Sequence, residues 1–225
     1  MWVYYLNMKT TIVHPLNKEF RINNIFCVGK NYADHAKEMG GEVPKEPIIF
    51  LKPTSAIICD GENIVLPKMS TNVHHEVEMT VLIGKRGKDI PLSEAMKHVA
   101  GYGVGLDMTM RDKQIEAKKG GNPWSIAKGF DTSAPLSPFL EASKVTDPHN
   151  VEIILKVNGK VRQHSNTKNM IYRIDILISF LSSIFTLEEG DIIYTGTPEG
   201  VAQVVHGDIL EAEIPGVGKI HHVVQ

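Results

Sequence analysis

Cysteine is scarce in this sequence. Cys27 and Cys59 are the only two, and they have no C-x-x-C spacing. That argues against a disulfide framework and reads as two free thiols in a reducing cytoplasm, although a single bridge between them stays open. Long apolar runs are missing too. None reaches the roughly 20 residues that span a bilayer. Met1–Thr10 is aromatic but too short and too polar for a signal peptide. An excess of one charge is also lacking: 24 Lys and Arg stand against 26 Asp and Glu, a net charge of -2. That argues against a nucleic-acid surface or a basic membrane-binding face. No internal repeat or low-complexity linker divides the chain. What remains is an ordinary globular composition, 42% hydrophobic and 22% charged, in 225 residues. That is enough for one large domain or two small ones. Regular βαβ alternation is absent as well. Many short strands and few helices predict a strand-rich α+β roll or sandwich rather than a doubly wound sheet.

The most informative stretch is His75-Glu76-Val77-Glu78-Met79-Thr80-Val81-Leu82-Ile83-Gly84. Its β-branched second half predicts a strand, stopped by Gly84. Alternation puts Val77, Met79, Val81 and Ile83 on one apolar face and Glu76, Glu78, Thr80 and Leu82 on the other. Two carboxylates so placed have Cα atoms about 6.5 Å apart and repel. Either that face is solvated, or a proton, a basic side chain or a metal ion compensates.

Ala100–Met108 is also strand-like. Gly101, Gly103 and Gly105 fall on one of its faces, open to close approach by another backbone or a ligand. Asp107, near its end, is either a third partner for Glu76 and Glu78 or a strand-end aspartate. As a partner it completes an all-oxygen set that suits Mg²⁺ or Mn²⁺, with Ca²⁺ as a substitute, and speaks against Zn²⁺. Thr109–Asp112 resembles a capping box before a helix over 112–119. Ser125–Lys128 reads as a short extended piece. Asn158-Gly159 predicts a hairpin, and Ile171–Phe185 carries the clearest 3.6-residue apolar period.

Other residues admit two readings each. His35 and Glu38 stand at i and i+3 of a short helix beside the Gly/Pro-rich segment 40–47. They are either a surface pair or a general base with its orienting carboxylate under a lid loop. Lys128, in an apolar context, either snorkels outward or meets a buried anion. Arg111 and Gln114 follow Asp107 closely enough to reach the same site. Thr195–Gly200 is a tight turn with hydroxyls and N–H groups that suit a carboxylate. His74-His75 and His221-His222 place neighbours on opposite strand faces, which makes poor chelates.

In order along the chain, six segments resemble the fumarylacetoacetate hydrolase superfamily, in its small branch of acylpyruvases and oxaloacetate decarboxylases. They are Gly29–His35, Phe50–Pro53, His74–Glu78, Leu106–Asp112, Pro123–Lys128 and Leu187–Pro198. The resemblance implies a single mixed β-sandwich roll over 25–225, preceded by a short extension at 1–24 that is a strand or partly disordered. Met8 is an alternative start, which would make Met1–Asn7 non-native. Glu76, Glu78 and Asp107 would bind Mg²⁺ or Mn²⁺. His35 and Glu38 would activate water, Lys128 would contact substrate, and Arg111, Gln114, Thr195, Gly196 and Thr197 would complete the substrate site. The implied protein is a cytoplasmic homodimer acting on a small 2-oxo acid. The expected reaction is hydrolysis of an acylpyruvate to pyruvate and a carboxylic acid. Oxaloacetate decarboxylation and enol–keto isomerisation share its enolate intermediate and remain alternatives. A non-catalytic divalent-cation protein would leave His35, Glu38 and Lys128 without purpose.

Overall fold

Strand alternation decides how the core divides. The computed structural model describes residues 9–38, 40 and 44–225. Val77–Ile83 forms a strand at the heart of a ten-stranded mixed sheet. Its neighbours are Val99–Leu106 and Ile192–Tyr194, both antiparallel to it. Val77, Met79, Val81 and Ile83 all face one core, shared with the helix Ile174–Ile184 and with the four-stranded sheet of Glu152–Val157, Lys160–Asn166, Ile209–Ile214 and Gly218–Val223. Leu82 faces a second core with Ile25, Cys27, Ile192 and Tyr194. Both faces of the strand are therefore buried, and the solvated-face alternative for the acidic residues is excluded: Glu76 is 4% and Glu78 1% exposed. A strand-rich α+β fold with mixed sheets results, as the sequence predicts.

The glycine face of Val99–Leu106 is used for packing, not for a ligand. Gly105 pairs with Glu78, Gly103 with Thr80 and Gly101 with Leu82. A Cβ at Gly105 would stand 2.6 Å from Tyr194 Cε1, and one at Gly101 would stand 2.6 Å from the Leu140 carbonyl oxygen. The Tyr194 ring thus lies where a side chain would be, and its hydroxyl donates to Pro135 O at 3.0 Å. Gly105→Ala is expected to force this ring out of place. The cost is about 1–3 kcal/mol, a loss of roughly 2–12 °C in Tm by thermal melting.

Two local expectations fail. Ser125–Lys128 is a helical turn rather than an extended piece, closed by Lys128 N–H to Trp124 O and Gly129 N–H to Ser125 O. No capping box forms, because Thr109 belongs to a two-residue strand paired with Val73–His75. The helix Arg111–Gly120 starts with no side-chain cap. Within the segment expected as a strand or partly disordered extension, Thr10–His14 and Lys18–Arg21 are strands at the edge of the large sheet, with Val13 beside Phe139. Met1–Asn7 and part of the expected lid loop, residues 41–43, lie outside the described residues.

Candidate active site

Several elements converge on one narrow pocket. Its lining includes His35, Glu76, Glu78, Asp107, Arg111, Gln114, Lys128 and Thr197. The strand Val77–Ile83 supplies Glu78, with Glu76 just before its start. Asp107 follows the neighbouring strand, and its N–H donates to Glu76 O at 2.8 Å, which fixes the two chains together. Carboxylate oxygens of Glu76, Glu78 and Asp107 lie within 4.8 Å of one another. Three like charges at that separation in a buried site repel strongly, so the compensating groups decide the chemistry.

Cations surround two of the three acids. Lys128 Nζ donates to Glu76 Oε2 at 2.8 Å, Asp107 Oδ2 at 2.5 Å and Thr109 Oγ1 at 2.6 Å. Arg111 Nη2 donates to Glu76 Oε1, while its Nη1 donates to Gln114 Oε1 at 2.6 Å. Burial pushes the Glu76 carboxyl up, but Lys128 and Arg111 outweigh it and hold the group well below the usual carboxylate range. Burial alone would lower the Lys128 pKa; Asp107 and Glu76 reverse this and raise it.

Glu78 differs from the other two. Among the described residues its one hydrogen bond comes from the Gly196 N–H, at 2.7 Å. Burial first, then Asp107 and Glu76, push its carboxyl well above the usual 4.5. A raised acid pKa favours the fold only while the group holds its proton. The contribution of Glu78 to stability is thus fully present below 4.5 and is lost as pH rises through its higher folded value. The expected result in chelator is a fall in the urea midpoint over that window, absent in Glu78→Gln.

The site fits a hard divalent cation. All three donors are carboxylates, and Asp107 Oδ1 is a buried acceptor without a hydrogen-bond partner among the described residues. Its only close cation is Lys52 Nζ, at 2.8 Å but poorly aligned. A cation bound there requires Glu78 ionised, so binding should release a proton and weaken as pH falls, measurable by calorimetry in two buffers.

His35 sits on the short helix Ala33–Glu38 and is buried. Its Nδ1 is 3.0 Å from Glu38 Oε2, and Glu38 Oε1 accepts the Gly200 N–H at 3.0 Å. An ionised carboxylate only accepts, so Nδ1 carries a proton and Nε2 is left as the basic atom. The helix and the Thr195–Gly200 turn are therefore joined through Glu38.

The turn itself behaves differently from the sequence expectation. The Thr195 and Thr197 hydroxyls donate to Met79 O at 2.9 Å and Val77 O at 2.8 Å. They fasten the turn to the acidic strand, and only Thr197 also lines the pocket. Gln163 adds to this: its Oε1 accepts the Val77 N–H at 3.0 Å and its Nε2 donates to Thr197 Oγ1 at 2.9 Å.

Lys52 is the important residue that sequence reasoning passed over. Beyond Asp107 it reaches the carbonyls of Met108 at 3.2 Å, Ser133 at 2.9 Å and Lys128. Its signal was the one that singled out Lys128, a lysine closing an apolar run. His74 was set aside as structural. Burial, then Arg111, lower its pKa to about 4, so it is neutral and accepts a long 3.4 Å contact from Arg111 Nε. His75 pairs with Gln163 at 3.0 Å and His222 with Glu62 O at 2.7 Å, both away from the acidic cluster.

Residues 24–225 match the family described as Fumarylacetoacetate (FAA) hydrolase C-terminal. The chain belongs to this family. Oxaloacetate tautomerase FAHD1, mitochondrial, of Arabidopsis thaliana is 48% identical over 218 residues, 97% of either chain. The mouse protein of that name is 52% identical over 194 residues, 86% of this chain and 88% of its own. Among solved structures, fumarylpyruvate hydrolase from Pseudomonas aeruginosa in complex with Mn²⁺ and pyruvate superposes with a TM-score of 0.95 at 39% identity. It covers 100% of this chain and 99% of its own. Fumarylacetoacetate hydrolase membership accounts for all six sequence segments, since they fall within the matched span. No helix among the described residues is long and apolar enough to cross a membrane.

Proposed function

We propose that this protein is a divalent-metal-dependent enzyme that enolises small 2-oxo acids, with keto–enol tautomerisation of oxaloacetate as its principal reaction. The carrying observation is the His35–Glu38 pair, which presents a basic Nε2 to the same pocket as the three carboxylates. Names of relatives near 50% identity support this reaction. The Mn²⁺ in the Pseudomonas structure supports the ion.

Glu76, Glu78 and Asp107 would hold Mg²⁺ or Mn²⁺, with Ca²⁺ as a substitute. Once bound, the ion supplies Lewis acidity to a 2-oxo acid and stabilises negative charge on its keto oxygen. His35 Nε2 removes a C3 proton, and the electron pair moves into the C2–C3 bond. Lys128, held against Glu76 and Asp107, would offset the negative charge that develops on that oxygen. Gln114, its carbonyl taken by Arg111, retains its NH₂ for the substrate C1 carboxylate. Thr195, Gly196 and Thr197 act on the strand and on Glu78 rather than as a cradle. The carbonyl π pair moves onto the C2 oxygen, and delivery of the proton from His35 to that oxygen gives the enol; the reverse sequence gives the keto form.

A second reaction has its own support. The likeness to fumarylpyruvate hydrolase spans the whole chain. In an acylpyruvate, His35 would instead deprotonate water for addition at C4, and C3–C4 cleavage would yield pyruvate enolate and a carboxylic acid. Oxaloacetate decarboxylation needs no base and would use the acids and Lys128 alone. We further propose a homodimer in a reducing compartment, consistent with free Cys27 and Cys59; gel filtration with light scattering tests the dimer.

The deciding assay follows ultraviolet absorbance of oxaloacetate enol, acetylpyruvate and fumarylpyruvate with Mg²⁺ or Mn²⁺ and with EDTA. Metal-dependent equilibration of oxaloacetate is expected. If no 2-oxo acid reacts with either ion, the site is a structural cation site and the enzymatic proposal fails.

A further inference from the structure

Two lysines that line the pocket have no partner of opposite charge among the described residues. Lys30 and Lys118 both line it, together with Phe50 and Trp124. The inner cations Lys52, Arg111 and Lys128 each pair with Glu76 or Asp107. Lys30 and Lys118 pair with no carboxylate among the described residues. Lys118 Nζ instead lies 5.0 Å from the Trp124 ring centroid, a position that holds it at the pocket edge. Burial, then Arg111, Lys30 and Lys128, lower its pKa, so these cations share one field. Lys30 has φ 55°, a left-handed conformation that glycine adopts more easily. A charged side chain held in that conformation beside a second unpaired cation points to an anionic ligand.

Position narrows the ligand class. Phe50 lies against the inner Lys128, whose Nζ is 4.9 Å from its ring centroid, and Trp124 lies against Lys118; the two tilted rings are 5.7 Å apart. Lys128 in turn pairs with Glu76 and Asp107, so the two rings run between the acidic cluster and Lys118. A ligand with its 2-oxo acid end inside and a carbon chain along the aromatic wall would bring its far end to the lysines. We propose that Lys30 and Lys118 bind the distal carboxylate of 2-oxo dicarboxylates and so select dianionic over monoanionic substrates. This rests on the function proposed above and extends it to specificity.

Lys30→Met, Lys118→Met and the double variant test it in the Mn²⁺-loaded protein. Kinetics would use oxaloacetate and acetylpyruvate; calorimetry would use oxaloacetate and pyruvate. The expected KM for oxaloacetate rises about tenfold per lysine, the scale of one charge-assisted hydrogen bond, with kcat little changed. KM for acetylpyruvate and affinity for pyruvate stay level, and arginine at either position restores most of the loss. Lys30→Gly, which suits the backbone, should match Lys30→Met; wild-type KM in it would assign the effect to backbone strain and overturn the role of Lys30. Equal loss for both substrate classes, or no loss for either, overturns the proposal. If the parent protein turns over neither substrate, the enzymatic reading fails, while the two binding affinities still decide the subsite.

Discussion

Asp107→Asn and Glu78→Gln are expected to abolish turnover alike while moving the stability of the metal-free protein differently. Both remove a charged oxygen from a three-oxygen set. Changes one step removed from a metal cost about 10–100-fold in affinity or activity, so loss of a direct ligand should cost more. Their folding consequences diverge because their surroundings do. Asp107 is ion-paired with Lys128 at 2.5 Å and Lys52 at 2.8 Å, all three buried. Neutralising it leaves the buried Lys52 without a carboxylate and Lys128 with Glu76 alone, a loss of about 3–5 kcal/mol. Glu78 has no cation of its own, and its neighbours raise its pKa. Glutamine keeps an acceptor for the Gly196 N–H and removes the repulsion. At pH 8 in EDTA, urea denaturation should show Asp107→Asn clearly destabilised and Glu78→Gln unchanged or more stable. Equal destabilisation by both would mean that Glu78 is as well paired as Asp107, and would remove the argument that it waits for a cation.

His35→Ala should separate chemistry from metal binding. General bases contribute about 10²–10⁴-fold, and a loss of that order in oxaloacetate tautomerisation is expected. The acidic residues sit on the central strands, whereas His35 sits on the six-residue helix Ala33–Glu38. Metal affinity by calorimetry should therefore be nearly intact. Decarboxylation of oxaloacetate, which needs no base, should fall less than tautomerisation. Parallel loss of metal and turnover would refute the base assignment. Glu38→Gln should have a milder effect, because it weakens the hold on Nδ1 without removing the ring.

The acidic strand was legible because period two is visible in a single segment: four apolar residues on one face and two glutamates on the other. The helix Ile174–Ile184 was legible for the same reason at period 3.6. Ser125–Lys128 was misread because four residues are too few for any period. Thr109 misled because strand pairing and the Lys128 ammonium outcompete a local cap. Lys52 closes an apolar run as Lys128 follows one, so its burial was legible, but its pairing with Asp107, 55 positions away, is set by the fold. The threonines of the 195–197 turn were visible, but not the direction of their hydroxyls. Alternation located the acids; only the fold revealed that Glu78 lacks the cations that surround Glu76.

The ammonium of Lys128 between Glu76 and Asp107 has a consequence for the life history of the protein. Many small metal-binding domains form their site only when the ion arrives, so that binding and folding are one event. Here Lys128 brings positive charge to two of the three acids, so the chain is expected to fold before metal binds. Loading and stripping would then be events of the native protein, repeatable without refolding. The ion carried at any moment then follows supply and affinity in the surrounding medium rather than a choice made once during synthesis.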